Sequence, residues 1–350
     1  MSTRVELTGN RAEPADPRRR VRHRHVVVVA VVALGVLLVG VLWGLSLGSQ
    51  PIPWSTVLRA LFAGDSPDEV IVRVVRMPRV LLATLVGANL AVSGALMQGV
   101  TANPLAAPDI MGVNSGAAVV VVAVTTMIPA LAGAPSVLLA FVGAAAAGIT
   151  VMVLAGMGAG RVSPVRLTLA GVTASTLLVS LTQVLVIFRE NDAQRVLFWL
   201  VGGVNFANWN AVTTVLPWTV LGLAAAMALA RAMNLLALGE DMARGLGQNV
   251  ERTRAVGAAV VIVLSGASVA VAGPIAFVGL IVPHIVRRFV GSSYAVVLPL
   301  CVILGAALTV FADIASRFVN PPYEVPSGVV SALIGAPIFI YLARRQKAAL

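Results

Sequence analysis

Residues 26–47 read VVVVAVVALGVLLVGVLWGLSL, an apolar run without a single charge, directly after a basic stretch holding Arg18, Arg19, Arg20, Arg22, His23, Arg24 and His25. A helix rises about 1.5 Å per residue, so the run would be about 33 Å long, enough to cross a hydrocarbon layer of about 30 Å. It is too long for the apolar region of a typical secretory signal, and no small-residue cleavage site follows it. It is therefore expected to remain as a first membrane span. Segments of the same kind recur along the chain, with 59% of the residues apolar and 11% charged, more apolar surface than a soluble core could hide. Backbone groups in lipid must pair with one another. Long runs of Ala, Leu and Val do so as helices, whereas a barrel needs short alternating strands. The fold class is therefore all-α, a polytopic membrane helical bundle.

Ten spans are expected, at 26–47, 80–99, 109–128, 136–157, 165–188, 211–230, 254–272, 275–287, 295–313 and 328–343. Residues 1–25 read as a disordered basic cytoplasmic tail, 26–345 as the transmembrane domain with a longer polar connection at 231–254, and 346–350 as a C-terminal tail. With the N-terminus inside, an even number of spans returns the C-terminus to the cytoplasm. The Lys and Arg residues then divide into 18 inside and 7 outside, the outer set being Arg59, Arg73, Arg76, Arg79, Arg189, Arg195 and Arg317. This is the positive-inside bias, and adding or removing one span would scramble it. Gly40, Gly44 and Gly48, Gly112 and Gly116, and Gly143 with Gly148 are expected to let helices approach closely, since lipid supplies no hydrophobic drive between them.

The formal charge of +11 could suggest nucleic acid, but the basic residues sit at the ends of apolar segments and read as topology signals, so no nucleic-acid partner is expected. Cys301 stands alone in an apolar run, which leaves neither a disulfide nor a cysteine-based metal site. Lys347 is the only lysine. A phosphate-binding loop of the Walker A type needs a glycine-rich turn followed by Lys and Ser or Thr, so such a site cannot lie in this chain.

Polar breaks interrupt the apolar pattern at Gly87-Ala-Asn-Leu-Ala-Val-Ser-Gly-Ala-Leu-Met-Gln98, Asn103-Pro-Leu-Ala-Ala-Pro108 and Gly112-Val-Asn-Ser-Gly116. Such breaks line a cavity or a gate, because backbone facing lipid cannot be left unpaired. Further marked segments follow in order: Arg76-Met-Pro-Arg79, Leu169-Ala-Gly171, Phe198-Trp-Leu-Val-Gly-Gly203, Gly273-Pro-Ile-Ala-Phe-Val-Gly-Leu-Ile-Val-Pro-His284 and Pro326-Ser-Gly-Val-Val-Ser-Ala-Leu-Ile-Gly-Ala-Pro337. Over roughly residues 50 to 345 the sequence resembles the permease family of iron-siderophore, haem and vitamin B12 ABC importers, the type II ABC importer transmembrane subunit.

The resemblance implies a multi-pass protein of the bacterial cytoplasmic membrane that is not itself an enzyme. Its partners would be ATP-binding cassette ATPase subunits, an extracytoplasmic substrate-binding protein and a second permease copy or close paralogue, with no cofactor in this chain and ATP with Mg on the ATPase. It places binding-protein docking at Arg76, Arg79 and Arg317, where a rigid guanidinium fork could pair with carboxylates. The cytoplasmic gate would fall at Asn103 and Leu105 and at the turn holding Ser163 and Pro164, where proline stands in place of a frequent hydroxyl residue. ATPase coupling is implied for Leu238, Gly239, Ala243, Gly245, Leu246 and Gly247. The cargo would be an iron-siderophore or similar metal chelate, with vitamin B12 or haem as alternatives.

Two residues read differently on their own chemistry. His284 has no second ligand at metal-binding spacing and is expected to make a structural hydrogen bond. Asp313 lies four residues before Arg317, the spacing of a helical ion pair. The competing reading is an ion-coupled secondary transporter, which needs a buried carboxylate near midplane. The acids near the spans, Asp109 and Asp313, both fall close to span ends. A membrane enzyme would need a metal triad, nucleophile elbow or acid pair, and the helices show none.

Overall fold

The computed structural model describes residues 17–48, 50–62, 66–128, 136–156, 164–187, 200–320 and 323–347. A helix lies at each of the ten expected spans. They are α1 (Pro17–Ser46), α4 (Met77–Val100), α5 (Val113–Met127), α6 (Ser136–Leu154), α7 (Pro164–Ile187), α8 (Trp209–Leu236), α10 (Val250–Ala272), α11 (Val278–Val290), α12 (Tyr294–Ser316) and α13 (Ser327–Lys347). Among the described residues there are also three short α-helices: α2 (Trp54–Phe62), α3 (Pro67–Ile71) and α9 (Glu240–Gly245). Among the described residues six helical stretches are long and apolar enough to cross a membrane, and Val113–Met127, Leu138–Leu154 and Ser327–Ile340 are shorter apolar helices.

Helix α4 is the axis of the bundle. In its most apolar window 83% of the residues are buried, against 11% for α1, so α1 lies at the periphery and α4 is enclosed by α8, α10, α11 and α12. Small residues make that enclosure possible. A Cβ on Gly94 would sit 1.8 Å from the carbonyl oxygen of Gly279 in α11, and one on Gly87 would sit 2.2 Å from that of Gly305 in α12. Backbone meets backbone at both crossings, the close approach anticipated for a bundle in lipid. A Cβ on Gly116 would lie 2.3 Å from the carbonyl oxygen of Gly143, and one on Gly44 would lie 2.7 Å from Val80 Cγ2. Replacing Gly94 with Val is expected to force α4 and α11 apart and lower the melting temperature of the purified protein. Overpacking alone costs about 1–3 kcal/mol, and here the obstacle is backbone, which cannot rotate away.

The helix boundaries differ from the expected spans where local chemistry overrides hydropathy. The helical path into α4 begins at Pro67, not at residue 80, because Ser66 and Glu69 form a capping box: Glu69 N donates to Ser66 Oγ at 3.4 Å and Ser66 N donates to Glu69 Oε2 at 3.0 Å. The charges between Asp68 and Arg79 conceal this from an apolar-run reading. A π turn at Val72–Arg76 precedes Pro78, whose ring would otherwise clash with a carbonyl of the preceding turn. Helix α5 starts at Val113 instead of residue 109, since Gly112 adopts φ 67° after the 3-10 turn Pro108–Met111. Helix α8 runs on to Leu236, and Asn249 caps α10 through its side chain, so the connection expected at 231–254 narrows to residues 237–249. Helix α1 begins at Pro17, inside the stretch read as a disordered tail.

Candidate functional site

Three features stand out along the bundle, the first where α4 begins. Arg79 Nε donates to both oxygens of Asp313, at 2.9 and 3.1 Å, and Arg79 NH1 donates to Glu324 Oε2 at 2.7 Å. Arg317 NH2 lies 2.6 Å from Asp313 Oδ2, the helical pair expected from the spacing. Arg317 NH1 also donates to the carbonyls of Gly44 and Leu47, while Arg76 donates to those of Leu45, Ser46 and Gln50 at 2.5–2.9 Å. The last carbonyls of α1, which a helix leaves without partners, are thus capped by two guanidinium groups from other helices. Asp313 is 1% exposed and Arg76, Arg79 and Arg317 are 6–7% exposed.

The three arginines expected at the docking site lie just beneath the surface of this end. Most of their guanidinium nitrogens bond within the chain, Arg317 Nε having no hydrogen-bond partner among the described residues, and together they hold α1, α4 and α12 at this end. Exposed on the same end are Phe206, Trp209, Phe318, Val319 and Tyr323. Glu324 is anchored by Arg79 and by Asn205 Nδ2 at 3.2 Å.

The second feature lies at the opposite end. Helix α9 is bracketed by Gly239 and Gly247, at φ 104° and 82°, conformations that glycine adopts without steric cost. Arg254 NH2 to Glu240 Oε1 at 2.5 Å, together with Gln248 Nε2 to Ala232 O and Thr253 Oγ1, both at 2.9 Å, fastens the turn to the ends of α8 and α10. Ala243 is fully buried and faces the bundle, so it cannot form part of an outer contact, contrary to expectation. Leu238, Met242 and Leu246 recur every four residues in the sequence and are 57–60% exposed, Met242 within α9 and the two leucines flanking it. Met242 was not among the expected residues, although that spacing is visible in the sequence. A Cβ on Gly245 or Gly247 would meet nothing.

Close by, α4 ends in a polar lock. Arg287 NH1 donates to Gln98 Oε1, Gln98 Nε2 to Leu280 O at 3.3 Å, and the Arg287 guanidinium lies 5.5 Å above the Tyr294 ring. Asn103 and Leu105 follow, both half-buried, with the Leu105 N–H donating to Asn103 Oδ1 at 2.9 Å. Ser163 lies outside the described residues, and Pro164 opens α7. His284 is half-buried and has no hydrogen-bond partner among the described residues, unlike the structural bond expected for it.

The third feature joins the two ends. On α7, Thr173, Thr176, Ser180 and Gln183 are all exposed, spaced as one face of a helix whose most apolar window is 22% buried. Thr176 and Ser180 donate to the carbonyls of Val172 and Thr176, each at 2.9 Å, which lowers the cost of meeting hydrocarbon, but a face that also carries Gln183 is better suited to a water-filled path or another protein. Sequence reading missed it because the hydroxyl residues are diluted among Leu and Val.

The FecCD transport family profile matches residues 36–345. The chain is 43% identical over 318 residues to the Fe(3+)-citrate import system permease protein YfmD of Bacillus subtilis, covering 91% of this chain and 94% of that protein. It is 41% identical to the cobalamin import system permease protein BtuC of Halobacterium salinarum, covering 86% and 81% respectively. Among solved structures, a proposed metal-chelate type ABC transporter in an inward-facing conformation superposes with a TM-score of 0.77 at 28% identity, over 92% of this chain and 99% of that one.

Proposed function

Because the chain belongs to the FecCD transport family, we propose that it is the membrane-spanning permease subunit of an ATP-driven importer for an iron chelate of the citrate or siderophore type. The observation that carries this reading is the pairing of a polar face along α7 with three exposed apolar side chains on a glycine-bracketed turn at one end. The first suits a path for a polar cargo and the second a foothold for a separate engine. The end holding α9 is cytoplasmic, in keeping with the positive-inside bias, and the arginine end faces outward. ATP and Mg belong to the ATPase subunits, since this sequence has no loop to cradle a nucleotide's phosphates.

Two copies face each other across the α7 stripes, so that neither presents hydroxyl and amide groups to lipid. A loaded binding protein docks on the aromatic surface around Phe206, Trp209, Phe318 and Tyr323, which Arg76, Arg79 and Arg317 frame from within. Leu238, Met242 and Leu246 fill a groove on the ATPase, and Gly239, Gly245 and Gly247 allow close approach. ATP-driven closure then moves α9 as a rigid lever on the ends of α8 and α10 and opens the way past Asn103 and Leu105. An ion-coupled mechanism is less well supported because Asp313, a buried acid in a span, is already paired with two guanidinium groups.

Cells lacking this chain should fail to accumulate radiolabelled ferric citrate or ferric hydroxamate and regain uptake when it is restored. Unchanged uptake of every iron chelate tried would count against the cargo. Replacing Thr176 and Ser180 together by Leu should reduce uptake about tenfold or more, the cost of about 1.4 kcal/mol in passage, and leave thermal stability within a few degrees of wild type. Full uptake by that variant would remove α7 from the path.

A further inference from the structure

A crevice of about 240 Å³ opens between α1, α11, α12 and α13, on a side of the bundle away from the polar face of α7. Its floor includes Ile281, Val282 and Ala307, all buried, and its rim includes Val36, Ile285 and Ile334, which are 37–43% exposed. Ser331 is the one polar side chain in the lining, and its hydroxyl already donates to Gly328 O at 2.8 Å. The crevice therefore offers an occupant apolar contact and nothing to hydrogen-bond, which suits a hydrocarbon chain.

One end of the crevice runs towards cations. Along α11, Ile285 is one turn from Arg288. Along α1, Val36 lies twelve residues from Arg24, about 18 Å. The two helices are tied there by His25 Nε2 and Phe289 O, 3.0 Å apart. Beyond Ile338 the sequence of α13 continues to Arg344, Arg345 and Lys347. Half of the hydrocarbon layer measures about 15 Å, so a chain lying in the crevice would carry its headgroup to the level of Arg24 and Arg288. We propose that this crevice binds one acyl chain of an anionic phospholipid, with the phosphate held at Arg24 and Arg288. A second copy of this chain is a poorer occupant, because a two-fold interface here would set each basic end against its own duplicate.

The test uses the full chain, purified with its ATPase partner in micelles holding equal amounts of phosphatidylglycerol and phosphatidylcholine, and native mass spectrometry to read retained lipid. Wild type should keep phosphatidylglycerol in preference by roughly 25-fold, or about 1 kcal/mol for each of two cations. R24Q/R288Q should bring the ratio close to one while still retaining lipid. A307L, which fills the crevice, should retain neither lipid. Since A307L could disturb folding, a photoreactive acyl chain on phosphatidylglycerol provides a second readout, expected to label α1 and α11–α13 in wild type. The proposal is overturned by an equal ratio in wild type, by a preference that survives R24Q/R288Q, or by label confined to other helices. An inter-copy disulfide formed by Ile334→Cys would also overturn it, by placing protein in the crevice.

Discussion

Asp313→Asn should lower the stability of the protein by about 3–5 kcal/mol, the usual consequence of breaking a buried ion pair from one side. Asp313 is the shared partner of Arg79 and Arg317, all three are almost fully buried, and the amide leaves two guanidinium groups facing each other with only Glu324 to offset them. The loss should appear as reduced abundance in the membrane and a lower melting temperature in detergent. A triple change of Arg79, Asp313 and Arg317 to Leu should recover part of it, because replacing a buried ionic group by apolar side chains is often close to neutral. If these arginines instead served as free contacts for an acidic partner, Arg317→Leu would weaken partner binding and leave the melting temperature unchanged. The two outcomes cannot be confused.

The combined change of Leu238, Met242 and Leu246 to Asp should abolish ATP-dependent uptake while the permease still folds and reaches the membrane. These side chains are more than half exposed, so the folded state loses little. Anchor residues buried at an interface are each worth about 2 kcal/mol or more, which corresponds to about thirtyfold in affinity for each one lost. Co-purification of the ATPase should therefore fail with the triple variant and persist with Ala243→Ser, since Ala243 faces the bundle. A triple variant that still holds its ATPase would place the coupling contact elsewhere.

Hydropathy made the ten helices legible, because each is dominated by an apolar run, even where the helix is shorter than a full crossing. It failed at ends set by hydrogen bonding. The capping box at Ser66 and Glu69, the left-handed Gly112 and the cap at Asn249 each moved a boundary by several residues. Glycine spacing correctly marked helix crossings at Gly44, Gly116 and Gly143, but the crossings at the core of the bundle, Gly87–Gly305 and Gly94–Gly279, pair residues far apart in sequence, which one chain cannot reveal.

The site was legible in part. The bond between Arg317 and Asp313 followed from a spacing of four residues. The addition of Arg79 across the bundle, and with it the burial of all three arginines, depended on tertiary packing that a surface reading of Arg76-Met-Pro-Arg79 could not contain. Within 237–249 the same limit held: glycines announced a turn, whereas which face of α9 points outward depended on the salt bridge from Arg254 to Glu240.

The most direct test reconstitutes the chain with its ATPase subunits and binding protein in vesicles and follows entry of the iron chelate. Uptake should require ATP, stop when the ATPase is inactivated by substitution, and continue when ion gradients are collapsed while ATP is maintained. Accumulation by the chain alone, driven by a proton or sodium gradient without ATP, would contradict the account.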